Sequence, residues 1–194
     1  MRRVFEEATL TLTTPIMTEA ARMEIRFTTG KSQLGAVLVA SSEKGICAVS
    51  VRESDQGADE YLRPRFPKAS IERDDVKLKP ALDLVLARIA GRNLDDAFPL
   101  DLQGTEFQRE VWQQLLSIPA GATRTYLDVA QAINRPKATR AVAQACGANP
   151  VAVVVPCHRV VMSDGSIGGY SGLPGVKQAL LTVEGALPPQ SALP

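Results

Sequence analysis

The chain has 194 residues, 45% apolar and 22% charged, and a net charge of +1. That is the composition of an ordinary globular protein, long enough for one large core or two small ones. No apolar run reaches the ~18 residues of a membrane helix, and Glu6 and Glu7 stand where a signal peptide needs apolar residues. Three cysteines cannot close a disulfide set, and with a single histidine they lack zinc-ligand spacing. No membrane partner and no metal are expected, and a reducing, cytoplasmic setting is.

Residues 1–20 show no clean period and read as an arm or linker. MEIRFTTG and QLGAVLVASSEKGICAVSV alternate and are rich in Val and Ile, which predicts strands with a hairpin turn at Ser42 to Gly45. GADEYLRPRF offers a short helix at most, interrupted by Pro64. LKPALDLVLARIAG is amphipathic, with Leu82, Val85, Leu86 and Ile89 apolar and Gly91 as C-terminal cap. A boundary is expected near Leu100 to Gly104. It separates an αβ domain over 21–100 from a second domain over 101–187, with a tail over 188–194.

Thr105 and Gln108 make the T-x-x-Q pattern of a capping box. The helix behind it, EFQREVWQQLLSI, carries Phe107, Val111, Leu115 and Ile118 on one face and stops at Pro119 and Gly121. TYLDVAQAI and KATRAVAQACGAN predict two short helices parted by Asn134-Arg135-Pro136. That is helix-turn-helix spacing, although any αα-hairpin shares it. Lys137 and Arg140 fall on one side of the second helix. The rest of that helix is largely Ala and Gly, which suits either a close approach to DNA or plain core packing. Between Arg124 and Arg159 there are five basic residues and one acid, a local +4, whereas residues 1–100 hold 15 of each sign. Charge alone leaves a phosphate-binding face and a solvated helix surface equally open.

VAVVVPCHRVV, Val151 to Val161, is the segment richest in chemistry. VAVVV predicts a buried strand after a turn at Asn149-Pro150, and Pro156 ends or bends it. Cys157 is then followed by His158, the sole histidine, and Arg159. A thiol acts as a nucleophile once it is a thiolate, and a nearby imidazole or cation lowers its pKa. Cys47 and Cys146, in apolar settings, read as structural. Successive residues of a regular strand face opposite ways. Cys157 and His158 therefore cooperate only if the chain turns there or a water relays the proton. A third group should orient the imidazole, and Glu184 in VKQALLTVEG is one carboxylate that could, though spacing does not choose it. MSDGSIGGYSGLPG, with five glycines in fourteen residues around Tyr170 and Ser171, has the composition of a flexible linker, but beside a thiol it reads as a pocket wall. Arg159 is expected to tie the turn to a carboxylate or carbonyl.

PCHRV, preceded by NP and followed by GGYSG, Lys177, Leu180-Leu181 and Glu184, resembles the O6-alkylguanine-DNA alkyltransferases, also called methylated-DNA–protein-cysteine methyltransferases. The likeness runs upstream through RPKATRAVAQACGANP and GTEFQREVWQQLLSIPAGATRTY, covers about residues 100–185, and looks most like the C-terminal half of bacterial Ada-type proteins. It implies an α/β (α+β) fold. A small ribonuclease-H-like αβ domain would be followed by a mainly helical, winged-helix-like domain with a helix-turn-helix.

The implied activity is DNA repair by direct, single-turnover transfer of an alkyl group from O6-alkylguanine to Cys157. His158 would be the base through a water, Glu184 its holder, and Asn149 the hinge bracing the active-site turn. Tyr126 would press on the target nucleotide's phosphate and assist protonation of the leaving guanine. Arg140 would replace the flipped base in the stack. Tyr170 and Ser171, with Gly172 beside them, would line the guanine pocket, and Tyr170 and Ser171 would bond its O6. The carbonyls of Cys157 and Val160 would accept from its exocyclic amine, and Lys177 would support the pocket loop. Arg135, Lys137 and Ser163 would lie at the DNA surface. The implied partner is double-stranded DNA approached from the minor groove by a monomer, with no cofactor.

Thr125 stands where many relatives have Ser. The Cys and His of the zinc site that some relatives carry are lacking, as are the Cys-rich and regulatory domains of full-length Ada-type proteins, so gene activation is not expected. The alternatives are a lesion sensor without transfer, which Cys157 argues against, and a Cys–His hydrolase, which would not need Arg140 or Asn149.

Overall fold

Alternating side chains let each early segment bury both faces against different neighbours. The computed structural model describes residues 23–92 and 98–187; the expected arm and tail lie outside the described residues. Strands β1 (Glu24–Ser32), β2 (Gly35–Ser42) and β3 (Gly45–Arg52) pair antiparallel in succession, with the turn after Ser42 where it is expected. A short helix, α1 (Ala58–Leu62), ends before Pro64. Strand β4 (Ser70–Arg73) then pairs parallel with β1, giving the order β3-β2-β1-β4. Its four residues, SIER, are too few and too polar for periodicity to reveal. Helix α2 (Asp75–Ile89) is capped by Asp74, whose side chain accepts from the Lys77 N–H, and Gly91 follows with φ +74°.

The second half is helical. Thr105 caps α3 (Glu106–Leu115) in the expected box: Thr105 Oγ1 accepts from Gln108 N at 3.2 Å and Gln108 Oε1 from Thr105 N at 2.9 Å. Strand β5 (Arg124–Thr125) leads into α4 (Tyr126–Ala132), where Thr125 and Asp128 form a second capping box. Asn134, in the left-handed region at φ 57°, turns the chain. A 3-10 turn, Pro136–Ala138, then precedes α5 (Thr139–Gly147). Lys137 therefore sits in this turn and not in the helix proper. After a 3-10 turn at Cys157–Arg159, β6 (Val160–Val161) pairs parallel with β5, and α6 (Val176–Val183) closes the described chain.

The two faces of the sheet bury different partners. Ile25, Phe27, Leu38 and Ala40 meet Leu62 and Phe66 around α1. Val37, Val39, Val49 and Val51 face α2 and continue without interruption into Trp112, Leu115, Val142, Val155 and Cys157. Trp112, fully buried, donates from Nε1 to the Ala145 carbonyl at 2.8 Å and so fixes α5 against α3. Gly104 allows the close approach, since a Cβ there would lie 2.6 Å from the Trp112 ring.

One expectation is overturned. VAVVV is not a strand: Val151 makes a single bridge to Val49, and the chain then turns. The Val155 N–H bonds the Val151 carbonyl at 2.9 Å, and Val153 takes φ 72°. The Asn149 side chain stands in for a sheet neighbour, accepting from Val151 N at 3.0 Å and donating to the Val155 carbonyl at 2.8 Å. A β-branched residue in the left-handed region costs on the order of 1–3 kcal/mol. Burial of Val151, Val153 and Val155 holds it there.

Candidate active site

Pro156 and the strained loop before it deliver Cys157 into a 3-10 turn, not a strand. In a 3-10 turn successive side chains project about 120° apart, so Cys157 and His158 are not forced to opposite faces as in a strand. Cys157 is buried, and its Sγ accepts from Asn149 Nδ2 at 3.1 Å. Burial pushes the thiol up, while the Asn149 bond and then the Lys177 charge pull the other way. At rest the group is a protonated thiol with stabilisers for a thiolate already in place.

His158 is fully buried, and its Nε2 lies 3.0 Å from Glu184 Oε1 at the C-terminus of α6. Arg159 grips the same carboxylate with two bonds of 2.8 Å and also donates to the Ile118 carbonyl. The expected carboxylate and carbonyl for Arg159 are thus both present. Burial raises the Glu184 carboxyl, but hydrogen bonds from His158 and Arg159, reinforced by charge, outweigh it and hold it well below the carboxylate range. Burial lowers the His158 pKa, and the Arg159 and Lys177 charges add to this against Glu184. His158 is neutral at pH 7, with its proton on Nε2 facing the carboxylate. Nδ1 has no hydrogen-bond partner among the described residues and keeps its lone pair.

Cys157 opens into a cleft of about 450 Å³. Tyr126 at the start of α4, Arg140 on α5, and Tyr170 and Ser171 in the Gly-rich loop line it, as do Thr139, Ala143, Cys146, Gly147 and Met162. The last five escape sequence reasoning, because only the packing of α5 and β6 against the loop brings them there. Burial pushes both the Tyr126 and Tyr170 phenols up, so each remains a proton donor. Lys177, only 3% exposed, donates to the Val160 carbonyl at 2.7 Å and to the Gly169 carbonyl at 3.4 Å, pinning the loop to β6. Gly172 borders the adjoining groove; a Cβ there would lie 2.7 Å from the Tyr170 ring.

Arg135, Lys137 and Ser163 are exposed and apart from the cleft lining. Arg135 pairs with Glu110 at 3.1 Å and lies over the Phe107 ring. No cluster of His, Cys, Asp and Glu able to hold a metal occurs among the described residues, and no helix there is long and apolar enough to cross a membrane.

Residues 106–186 match the family model described as "6-O-methylguanine DNA methyltransferase, DNA binding domain". The chain is 42% identical over 148 residues to the "Bifunctional transcriptional activator/DNA repair enzyme Ada" of Escherichia coli, covering 76% of this chain but only 42% of that protein. It is 41% identical over 147 residues to the inducible "Methylated-DNA--protein-cysteine methyltransferase" of Bacillus subtilis, covering 75% of this chain and 82% of the relative. The crystal structure of Mycobacterium tuberculosis OGT in complex with DNA superposes with a TM-score of 0.70 at 34% identity, covering 84% of this chain and 93% of that one. With likeness of this extent to a relative covered over 82% of its length, the chain belongs to the methylated-DNA–protein-cysteine methyltransferase family.

Proposed function

We propose that this chain repairs O6-alkylguanine in duplex DNA by moving the alkyl group onto Cys157, once per molecule. The observation that carries this reading is the Asn149 bond to a buried Cys157 that lines a cleft together with Arg140, with the Glu184-bound His158 next to it in the same turn. The thiol proton passes through a water to His158 Nδ1. The thiolate attacks the alkyl carbon in line. An S–C bond forms, the C–O6 bond breaks, and its electron pair stays with the guanine. The Tyr126 phenol assists protonation of that leaving guanine. A thioether has no good leaving group and no base to reverse the step, so the protein is consumed.

To reach the floor the base must leave the stack, at a cost of a few kcal/mol. Arg140 fills its place from the minor groove. Ser171 donates to O6, Tyr170 and Gly172 shape the pocket, and the carbonyls of Cys157 and Val160 accept from the exocyclic amine. The Lys177 bond holds the Val160 carbonyl in position. Arg135, Lys137 and Ser163 face the duplex, with α4 and α5 as a helix-turn-helix in a winged-helix-like half beside a ribonuclease-H-like sheet. The protein works as a cytoplasmic monomer without a cofactor.

The test is to mix the protein with duplex DNA containing O6-methylguanine and weigh the intact protein and its peptides. One methyl group on the Cys157 peptide, guanine in the DNA and no reaction with fresh lesion are expected. Repeated turnover, or binding without modification, overturns the reading. Arg140→Ala should slow repair in duplex DNA by roughly 5- to 30-fold, the equivalent of about 1–2 kcal/mol of lost intercalation. Reaction with the free base, which needs no flipping, should hardly change. Equal losses on both substrates would remove Arg140 from that role.

A further inference from the structure

A second groove, about 610 Å³, adjoins the active-site cleft and shares Gly147, Tyr170 and Ser171 with it. Asn149, whose amide touches Cys157 Sγ, borders this groove as well. Its far wall comes from the other half of the chain: Arg52 and Glu53 at the end of β3, and Tyr61 and Arg65 at α1. The guanidinium carbons of Arg52 and Arg65 lie 4.8 and 3.7 Å from the centre of the Tyr61 ring. Neither arginine forms an ion pair among the described residues. Arg52 gives two N–H groups to the Gly57 and Gln56 carbonyls, and Arg65 one to the Tyr61 carbonyl. A guanidinium has five, so each keeps donors free.

A methyl group on O6 needs none of this space. A longer substituent has this space within reach, because Asn149 both touches Cys157 Sγ and borders the groove. Resting on the repair reading above, we propose that the groove is a subsite for O6 substituents that end in an anion, carboxyalkyl or carboxyaralkyl groups. Tyr61, stacked by both guanidiniums, holds Arg52 and Arg65 at the groove wall, where their free donors bind the carboxylate at the end of the chain. The chemistry is unchanged. The first carbon of the substituent bonds to Cys157 Sγ as its bond to O6 breaks, and the guanine takes up one proton for the one lost by the thiol. Glu53 opposes the anion and tempers the preference.

The test compares single-turnover transfer from duplexes carrying O6-(para-carboxybenzyl)guanine and its neutral match, O6-(para-carbamoylbenzyl)guanine, with O6-methylguanine as control. The native protein should favour the carboxylate, and the preference should shrink as salt is raised. In the double variant R52Q/R65Q the carboxyl-to-carbamoyl rate ratio should fall about fivefold, as expected for one half-buried and one exposed charge pair. Methyl transfer should be unchanged. E53Q should move the ratio the opposite way. An unaltered ratio in R52Q/R65Q with methyl transfer intact overturns the subsite alone, as does methyl transfer by a native protein that accepts neither benzyl probe. Failure to accept even the methyl group overturns the repair reading and the subsite with it.

Discussion

Cys157→Ala should abolish alkyl transfer while lesion binding persists. The reaction needs a nucleophile at one point of the cleft, and neither other thiol can replace it. Cys146 also lines the cleft, but burial first, and then the Cys157 charge, push its thiol up to about 12. Cys47 is pushed to about 12 as well, chiefly by burial, and lies on the far face of the sheet. Burial raises Cys157 too, but only its Sγ receives the Asn149 amide bond that stabilises a thiolate. The variant should still fold. Asn149 loses its bond to Sγ but keeps those to Val151 N and the Val155 carbonyl, so the strained loop stays braced. Truncating the thiol to a methyl group should cost about 1 kcal/mol. The check is a single-turnover assay with peptide mapping, alongside a binding titration on the same lesion duplex. A methylated Cys146 peptide from the variant would show that the Asn149–His158 environment is not what selects the acceptor. In the native protein the transfer rate should stay level from pH 8 down to 6.5, the ordinary imidazole value. It should fall only at lower pH, because burial moves His158 protonation downward.

Local signals in the sequence proved dependable where one short segment settles its own structure. The hairpin at Ser42 to Gly45 and the Thr105–Gln108 box are set by residues within four positions of each other. VAVVV misleads for the same reason. Five residues of high strand propensity leave no trace of the fact that Asn149, just outside them, supplies the hydrogen bonds a sheet would have given. Val153 in the left-handed region is a conformation such residues avoid when free. The cysteine, the histidine and their need for a third group were legible from chemistry. Glu184 was one of 21 acids, and only the docking of α6 on the Cys157–Arg159 turn singles it out geometrically. The groove beside the cleft was invisible, since it joins Arg52, Tyr61 and Arg65 to a loop more than a hundred residues away.

Glu184→Ala should be the most damaging change outside Cys157, because one carboxylate answers the buried His158 and the largely buried Arg159. Its side chain is 9% exposed, that of Arg159 14%, and His158 is fully enclosed. Without the carboxylate, Arg159 keeps only the Ile118 carbonyl and a buried charge loses its counterion. Removing one partner of such a pair costs about 3–5 kcal/mol. Glu184→Gln separates fold from chemistry. Its amide oxygen can still accept from His158 Nε2, so the imidazole keeps its tautomer, but the charge that favours an imidazolium is gone. We expect E184Q to fold with a smaller stability loss than E184A and to transfer methyl at least ~100-fold more slowly, the lower range for a general-base contribution. The stability difference should also depend on pH. Glu184 is held below its unfolded value of about 4.3, so its stabilisation is fully present above that value. It is lost as pH falls toward the depressed folded value, where the carboxylate is protonated. Denaturant midpoints of native and E184Q protein should therefore differ most between pH 5 and 8 and converge in acid. A constant difference down to pH 2 would mean that Glu184 acts through packing, and that the Arg159–Glu184–His158 chain does not hold the imidazole by charge.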